Sequence, residues 1–364
     1  MKIIRSLDNV GLNGALILVI ALLAACVNPE TPGPGPNVET VMTGTGGATS
    51  LAATADGSRI YIGHITYTDG GALKYYDTAT GTIETIMTGM DVGDFVLDEG
   101  NNQIIGTSNA YSPTSWTFAI DLGTTPYTAI EIKHSSSASF VGGDVLLHDG
   151  TVYVLKTAGV GDWPPTGYDN TLYYFPADDF DPVTKVDLGT NQSYNLARMA
   201  VHNNKLYLTD TATGGIYKAD LDGSAFALET TFSDISAGMI YFNNSQAFVA
   251  VGLGATDMGV HTFDPASPPV GTSHFGNSGA ISAQFLAFAS ASEAFVTNFS
   301  GGVYKFDPGN TASPFTIVAD TDLSYVDGVN GYGLQDIVVA NNHLYVAVGT
   351  FLGDESELMI VDSY

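Results

Sequence analysis

The sequence predicts an all-β fold built from short strands that recur at a regular interval. Of its 364 residues, 42 are glycine, 19 tyrosine and 18 phenylalanine. No long window shows the 3.6-residue apolar period of a helix. A polar turn followed by an apolar strand returns seven times, at intervals of about 40 to 55 residues. This spacing predicts a seven-bladed β-propeller with four strands in each blade.

The seven recurring segments each combine a tight turn with the second strand of a blade. Their turns are rich in Asn, Asp and Gly, which accept the positive φ that two-residue hairpins require. The segments are residues 55–63, 99–107, 148–155, 202–210, 243–251, 290–298 and 341–348. Each is therefore predicted to form the turn and second strand of one blade.

A third strand ends in aspartate in most units. Aspartate followed by Pro, Thr or Gly terminates strands and starts turns, so these carboxylates are predicted to be turn formers rather than ligands. They are Asp77, Asp121, Asp220, Asp264, Asp307 and Asp362.

The stretch VETVMTG at residues 38–44 resembles IETIMTG at residues 83–89, which is the fourth strand of the first unit. The seventh unit stops at Tyr364, after its third strand. Because exposed sheet edges promote aggregation, a circular array gains from closing. We therefore predict that residues 38–44 complete the last blade and that the propeller spans residues 38–364.

The N-terminal segment has the pattern of a secretory signal. Lys2 and Arg5 precede an apolar run at residues 15–25 that is too short to cross a bilayer. The following Leu23-Ala24-Ala25-Cys26 resembles the lipobox of bacterial lipoproteins. The resemblance implies removal of residues 1–25 and attachment of acyl chains, including palmitate, to Cys26, which would anchor the protein durably outside the cytoplasm.

Two further features refine this expectation. Position 27 is Val rather than the Asp that retains such lipoproteins at the inner membrane, so the resemblance implies the outer membrane. It does not distinguish the periplasmic side of that membrane from the cell surface. Residues 26–37 are rich in Pro and Gly and are predicted to be an extended linker. Cys26 is the only cysteine, which excludes an internal disulfide.

Two units resemble the YVTN repeat family of bacterial and archaeal surface-layer and periplasmic proteins. The residues are Ala294-Phe295-Val296-Thr297-Asn298 with the strand at residues 302–308, and Leu206-Tyr207-Leu208-Thr209-Asp210. The resemblance implies a seven-bladed propeller. Such proteins range from adhesins and binding modules to lactonase-like enzymes, so the family implies no particular chemistry.

The formal net charge is −27, with 11 basic and 38 acidic residues. Such a charge repels nucleic acid and anionic substrates, so neither is expected as a partner. The sequence also lacks the zinc-protease, nucleophile-elbow, haem-attachment and phosphate-loop motifs.

Candidate binding residues lie in the variable loops between second and third strands and before the last blade. Aromatic side chains on such loops suit contact with a protein or a sugar, although they also serve as packing anchors between blades. The candidates are His64, Tyr67, Tyr111, Trp116, Trp163, Tyr168, Tyr325 and Tyr332.

A second candidate site is a ring of first-strand residues around the central channel. Aligning the units by the position before the first apolar pair gives Ser50, Asp94, Asp144, Arg198, Gly238, Gln284 and Asp336. This ring would hold a cation or a polar ligand, or it would be a structural charge network. Asp320, Asp322 and Asp327 form a weaker Ca²⁺ candidate, because they lack the Gly and Glu of an EF-hand.

These observations favour a lipid-anchored binding module that contacts an envelope protein, a glycan or a second copy of itself, without a required cofactor. One alternative is a lactonase-like or other hydrolase that uses Arg198 and the channel acids, with or without Ca²⁺. Another is a structural subunit of a surface layer or filament.

Overall fold

The computed structural model describes most of the repeat region and none of residues 1–37. The described residues are 38–44, 47–65, 70–108, 116–135, 138–139, 142–161, 164–231, 237–252, 258–267, 273–276, 278, 281–298, 301–312, 314–320, 332–350, 356–362 and 364. This part of the chain contains no helix of the length and apolarity that crossing a membrane would require.

The described strands form seven antiparallel sheets, each of which is one blade. Blade 1 contains β2 (Gly47–Ala53), β3 (Arg59–Ile65), β4 (Ala72–Asp77) and β5 (Thr82–Thr88). Blade 2 contains β6 (Asp94–Asp98), β7 (Gln103–Thr107), β8 (Thr117–Asp121), β9 (Ala129–Ser135) and the short β10 (Ala138–Ser139). Blade 3 contains β11 (Asp144–His148), β12 (Thr151–Val160), β13 (Gly167–Pro176) and β14 (Thr184–Gln192).

The remaining blades follow the same order from the inner to the outer strand. Blade 4 contains β15 (Leu196–His202), β16 (Lys205–Asp210), β17 (Gly215–Asp220) and β18 (Ala227–Thr231). Blade 5 contains β19 (Ala237–Asn243), β20 (Gln246–Val251), β21 (Gly259–Phe263) and β22 (Ser273–His274). Blade 6 contains β23 (Ala283–Ser290), β24 (Glu293–Asn298), β25 (Gly302–Phe306) and β26 (Thr316–Asp320). Blade 7 contains β27 (Tyr332–Ala340), β28 (His343–Thr350), β29 (Ser356–Asp362) and β1 (Val38–Gly44).

The blades form a closed ring around a channel. Their inner strands contact one another in the cycle β2, β6, β11, β15, β19, β23, β27 and back to β2. In blade 7, β1 is the outer strand and pairs antiparallel with β29, with Val41 opposite Leu358. The first described strand of the chain therefore lies in the same sheet as the last.

Apolar side chains fill the spaces between blades. Within the described residues there are seven buried clusters, one at each interface between adjacent blades. Second strands are buried on both faces, as in β16, whereas outer strands such as β18 are mostly exposed. This gradient explains why second strands read as continuous apolar runs in the sequence.

The tight turns have the backbone geometry that their residues predict. In the turn between β15 and β16, Asn203 and Asn204 have φ of 49° and 56°. Asn341 and Asn342 between β27 and β28 have φ of 49° and 62°. Positive φ at both central positions is the type I′ hairpin, which fits the right-handed twist of the strands.

Several of the aspartates at the ends of third strands are turn formers, whereas Asp220 and Asp362 pair with Lys205 and His343 on the neighbouring strand. The carboxylate of Asp77 accepts hydrogen bonds from the amides of Ala79 and Thr80, at 3.0 and 2.9 Å. Asp264 and Asp307 each accept from the amide two residues later, at 2.8 Å. The turn interpretation of these residues is confirmed.

Candidate functional site

The channel contains a cluster of three carboxylates and one guanidinium. Nη1 of Arg198, on β15, lies 3.0 Å from Oδ1 of Asp144 on β11 and 3.7 Å from Oδ2 of Asp94 on β6. Asp336, on β27, lines the same cavity. The structure thus brings together the four charged residues that the sequence places at one level of the channel.

Each of these carboxylates also joins its blade to the next one. Oδ2 of Asp94 accepts from the amide of Val145 at 2.9 Å, and Oδ2 of Asp144 accepts from the amide of Met199 at 2.6 Å. Oδ2 of Asp336 accepts from the amide of Leu51 at 2.7 Å. Because an inner edge strand has unpaired amides, these side chains satisfy donors that would otherwise face the channel.

Burial shifts the protonation of the carboxylates. It raises the pKa of Asp336 to about 7 from an ordinary 3.8, against the opposing effect of hydrogen bonds from Leu51 and Ile337. Burial likewise raises the pKa of Asp144 to about 7, although Arg198 favours the ionised form. The pKa of Asp94 is also raised by burial, again opposed by Arg198.

Arg198 stays charged in this cluster. Burial alone would lower its pKa, but the facing carboxylates of Asp144 and Asp94 raise that pKa above its ordinary value. Its guanidinium also lies 5.9 Å from the centre of the Phe285 ring. Since Asp144 and Asp94 already neutralise Arg198, it is poorly placed to polarise a substrate carbonyl, as the hydrolase alternative requires.

Two positions of the ring differ from the sequence alignment. In β19 and β23, bulges place two residues opposite one partner: Gly238 with Met239, and Gln284 with Phe285. The cavity is lined by Met239 and Phe285 at these positions, and its lining includes neither Gly238 nor Gln284. The alignment treated Met239 and Phe285 as the start of the buried apolar pair, and the bulges turn them to the channel instead.

Met239 has a role similar to that of the ring carboxylates. Its Sδ accepts from the amide of Leu286 on the next inner strand, at 3.4 Å. A thioether is a weak acceptor. This residue was missed because nothing in an apolar Met-Ile pair signals a contact across blades.

The ring forms one end of a cavity of about 490 Å³. Apart from Thr49 and Gly93, its other lining residues follow the ring residues along the inner strands, so the cavity extends toward the hairpin turns. They include Leu51, Val145, Ile240, Tyr241, Phe242 and Val338. A volume of this size is in the range of small-molecule pockets.

The opposite end of the propeller carries a projecting three-stranded sheet. β11 pairs with β12 only as far as Leu155, whereas β12 pairs with β13 as far as Val160. Oγ1 of Thr157 donates to the carbonyl of Leu196 in blade 4 at 2.7 Å, and among the described residues this is the last hydrogen bond from β12 to another blade. Three further residue pairs extend about 10 Å beyond it.

We call this extension, residues 158–160, 167–169 and 190–192, the blade 3 flap. Ala158 and Gly159 are exposed, and Tyr168 is half-buried between β12 and β14. The amide of Asn191 donates to Oδ1 of Asp169 at 2.8 Å, which ties β14 to β13. The sequence places Trp163 in the connection between β12 and β13.

Two loop candidates lie elsewhere than expected. His64 is a strand residue, paired with Ala48 and Ala72, and its side chain is fully buried, so it is not available on the loop face. Trp116 is half-buried and packs against the apolar cluster between blades 1 and 2. These two residues are therefore packing residues rather than exposed binding residues.

The other loop and metal candidates are not placed by the structure. Tyr67, Tyr111, Trp163, Tyr325, Asp322 and Asp327 lie outside the described residues, as does Cys26. Tyr332 and Asp320 belong to β27 and β26, but their side chains are not described. Among the described residues, no group of three or more acidic, His or Cys side chains is arranged to hold a metal ion.

Comparison with known proteins identifies the fold and no closer relationship. No family model matches the chain, and no curated protein matches it. Virginiamycin B lyase from Staphylococcus aureus, solved with quinupristin, aligns with a TM-score of 0.60 at 10% identity, over 88% of this chain and 99% of that one. The Swd1 β-propeller domain of Myceliophteria thermophila aligns with a TM-score of 0.60 at 11% identity, over 89% and 100%.

YCF48, solved with the D1 peptide bound, aligns with a TM-score of 0.61 at 10% identity, over 92% of this chain and 100% of that one. At such low identity these similarities establish a shared β-propeller architecture. The binding partners of these proteins are therefore not assigned to this chain.

Proposed function

We propose that this protein is a lipid-anchored binding module of the cell envelope. It binds a protein partner at the end of the propeller that carries the connections between second and third strands. The anchor is supported by the lipobox-like residues that end in Cys26 and by the linker at residues 26–37. A β-propeller is a rigid scaffold on which loops commonly bind other proteins. The linker would hold this scaffold away from the bilayer.

The proposed surface for the protein partner is the blade 3 flap. It extends about 10 Å past the last described hydrogen bond from β12 to blade 4, and its strands are fixed by main-chain pairing on both sides of β13. A rigid, projecting edge with aromatic residues offers contact area at a low cost in conformational entropy. Tyr168 lies on this flap, and Trp163 lies in its connecting segment. A protein partner fits this surface better than a small ligand, which requires a concave site.

Because the proposed anchor is attached to Cys26, we expect Cys26→Ser to release the protein from the membrane. Without a thiol at position 26 no acyl chain can be attached, and a multiply acylated anchor is a stable one. Fractionation of cells that express each form should show the wild type in the membrane pellet and the variant in the soluble envelope fraction. The same distribution for both forms would contradict lipid anchoring at Cys26.

The flap predicts loss of binding when Trp163 and Tyr168 are both replaced with Ala. A photo-cross-linking amino acid at the exposed tip residue Thr166 would first identify the partner in intact cells. The affinity of the double variant for that purified partner should then fall at least about tenfold, as expected when aromatic anchors are removed.

The matched control replaces two exposed apolar side chains far from the flap, Ile130 and Leu228, which are 55% and 52% exposed on outer strands. That variant should bind like the wild type. Unchanged affinity for the flap variant would reject this surface. Cross-linking only to a glycan, or only to a second copy of this chain, would contradict the proposal that the partner is a different protein.

A further inference from the structure

The chain enters the propeller at the end that carries the turns between first and second strands, which we call the hairpin-turn end. Val38, the first residue of β1, lies opposite Val361 near the end of β29. The next residue, Asp362, pairs with His343, which directly follows the hairpin turn between β27 and β28. The segment that precedes β1 therefore leaves the body beside the hairpin turns, at the outer strand of blade 7.

The blade 3 flap lies at the other end of the propeller and on the other side of the ring. β12 begins at Thr151, directly after the hairpin turn of blade 3, and ends at Val160 in the flap. Its ten residues rise about 30 Å between these points. Blade 3 is three blades from blade 7 in one direction around the ring and four in the other. The flap is therefore among the described parts of the body that lie farthest from Val38.

The proposed anchor would reach the body through a short linker. Residues 26–37 number twelve, and an extended proline-rich chain rises about 3.1 Å per residue, so the linker spans at most about 37 Å. With the hairpin-turn end toward the bilayer, the flap points away from the membrane along the propeller axis. With the rim of blade 7 toward the bilayer, blade 3 lies at the far rim. In both orientations the flap is remote from the membrane that holds Cys26.

The remaining orientation, with the flap against the bilayer, is opposed by length and by charge. It would raise Val38 by at least about 20 Å, the rise of the seven residues of β1, so most of the linker would have to run beside blade 7. It would also press the flap, with Asp169, against the headgroups in a chain whose formal net charge is −27. Anionic headgroups repel such a surface within a Debye length, about 8 Å at physiological salt.

We propose that the flap points away from the anchoring membrane and that its partner is a protein that is not embedded in that bilayer. This inference rests on the proposed anchor at Cys26 and on the flap as the partner surface. A protein embedded in the same bilayer meets the hairpin-turn end or the rim of blade 7 first. The flap instead contacts a protein beyond the propeller, up to about 65 Å from the bilayer, the combined length of the linker and β12.

The orientation is tested with the full-length acylated protein in vesicles of phosphatidylethanolamine and phosphatidylglycerol. Acylation occupies Cys26, so one added cysteine carries a single donor dye, either at Thr166 at the tip of the flap or at Ala79 in the turn between β4 and β5. Both residues are exposed, and Ala79 lies at the hairpin-turn end of blade 1, beside blade 7. Energy transfer to an acceptor dye on the lipid headgroups measures the height of each site. The height of Thr166 should exceed that of Ala79 by at least about 20 Å.

Equal heights, or a lower height for Thr166 than for Ala79, would overturn the proposal. The control is the Cys26→Ser form of each labelled variant. It should show no energy transfer, because nothing holds it at the vesicle surface.

The class of partner is tested with a photo-cross-linking amino acid at the same two positions in intact cells. The protein captured at Thr166 should not be captured at Ala79. In cells that lack this chain, that protein should separate from the anchoring membrane on a density gradient. A partner that is an integral protein of the anchoring membrane would contradict the proposal.

These outcomes differ from a failure of the proposed function itself. Absence of the wild type from floated vesicles would contradict the anchor, and this inference with it. Normal partner binding after replacement of both Trp163 and Tyr168 with Ala would contradict the flap as the partner surface. Flotation of the protein with equal heights at the two labels would contradict the orientation alone.

Discussion

Replacing Arg198 with Met should destabilise the protein by about 3 kcal/mol near pH 8. Arg198 pairs with Asp144 and approaches Asp94, and removing one member of a buried ion pair leaves the other charges without compensation. The side chain of Arg198 is 30% exposed to the cavity, so we expect the lower end of the range for fully buried pairs. Urea denaturation of both proteins would measure the difference in the free energy of unfolding.

The loss should shrink on acidification. The carboxyl groups of Asp94 and Asp144 already have a raised pKa in the folded protein, so the folded state binds protons more tightly than the unfolded state. The contribution of Asp144 to stability is therefore complete below about pH 4 and is lost as pH rises through about 7, and that of Asp94 changes in the same direction. Without Arg198 their pKa values rise further, which makes the deficit larger at about pH 8 than at about pH 5.

A suitable control is Lys133→Met, because Lys133 pairs with Glu131 while its side chain is 43% exposed. That variant should lose less than about 1 kcal/mol at either pH. If Arg198→Met behaves like this control, or loses the same amount at both pH values, the channel cluster is not the buried network that we describe.

A disulfide between β1 and β29 should stabilise the protein by about 2 to 4 kcal/mol. Val41 and Leu358 are directly opposite each other in these antiparallel strands, and both contribute to the apolar cluster between blades 7 and 1. Cysteines at positions 41 and 358 are thus close enough for a disulfide. The bond would enclose most of the chain, so it would greatly restrict the unfolded state.

The effect is measured by urea denaturation of the oxidised and the reduced forms of one variant, so the cost of the substitutions cancels. Cys26→Ser in the same chain removes the competing thiol. A pair at positions 41 and 360 is the control, because residue 360 lies opposite Glu39 and diagonal to Val41, about 7 Å or more away. This control should oxidise poorly and gain no stability.

The fold could be predicted from the sequence because its signals are local. Asn203-Asn204 and Asn341-Asn342 specify two-residue hairpins, and the strands that follow are continuous apolar runs. The partner strand for β29 was also predictable, since residues 38–44 repeat the pattern of a fourth strand. These features depend on neighbouring residues or on similarity within the chain.

The site was less predictable because it depends on contacts between blades. A charged residue at the same position in several units indicated the ring, but the bulges that bring Met239 and Phe285 into it depend on pairing with β20 and β24. His64 is buried because β3 continues one residue beyond it, to Ile65. The residues that follow His64 have the composition of a loop, so the sequence did not show that His64 belongs to the strand. The hydrogen bonds that the carboxylates accept from amides of the next blade have no local signal at all.

The most direct test of this architecture is mass spectrometry of the variant with cysteines at positions 41 and 358, digested without reduction. We expect one peptide pair that joins residue 41 to residue 358 and disappears on reduction. Free thiols at both positions under oxidising conditions, with the propeller otherwise folded, would contradict the closure of the ring by its own two ends.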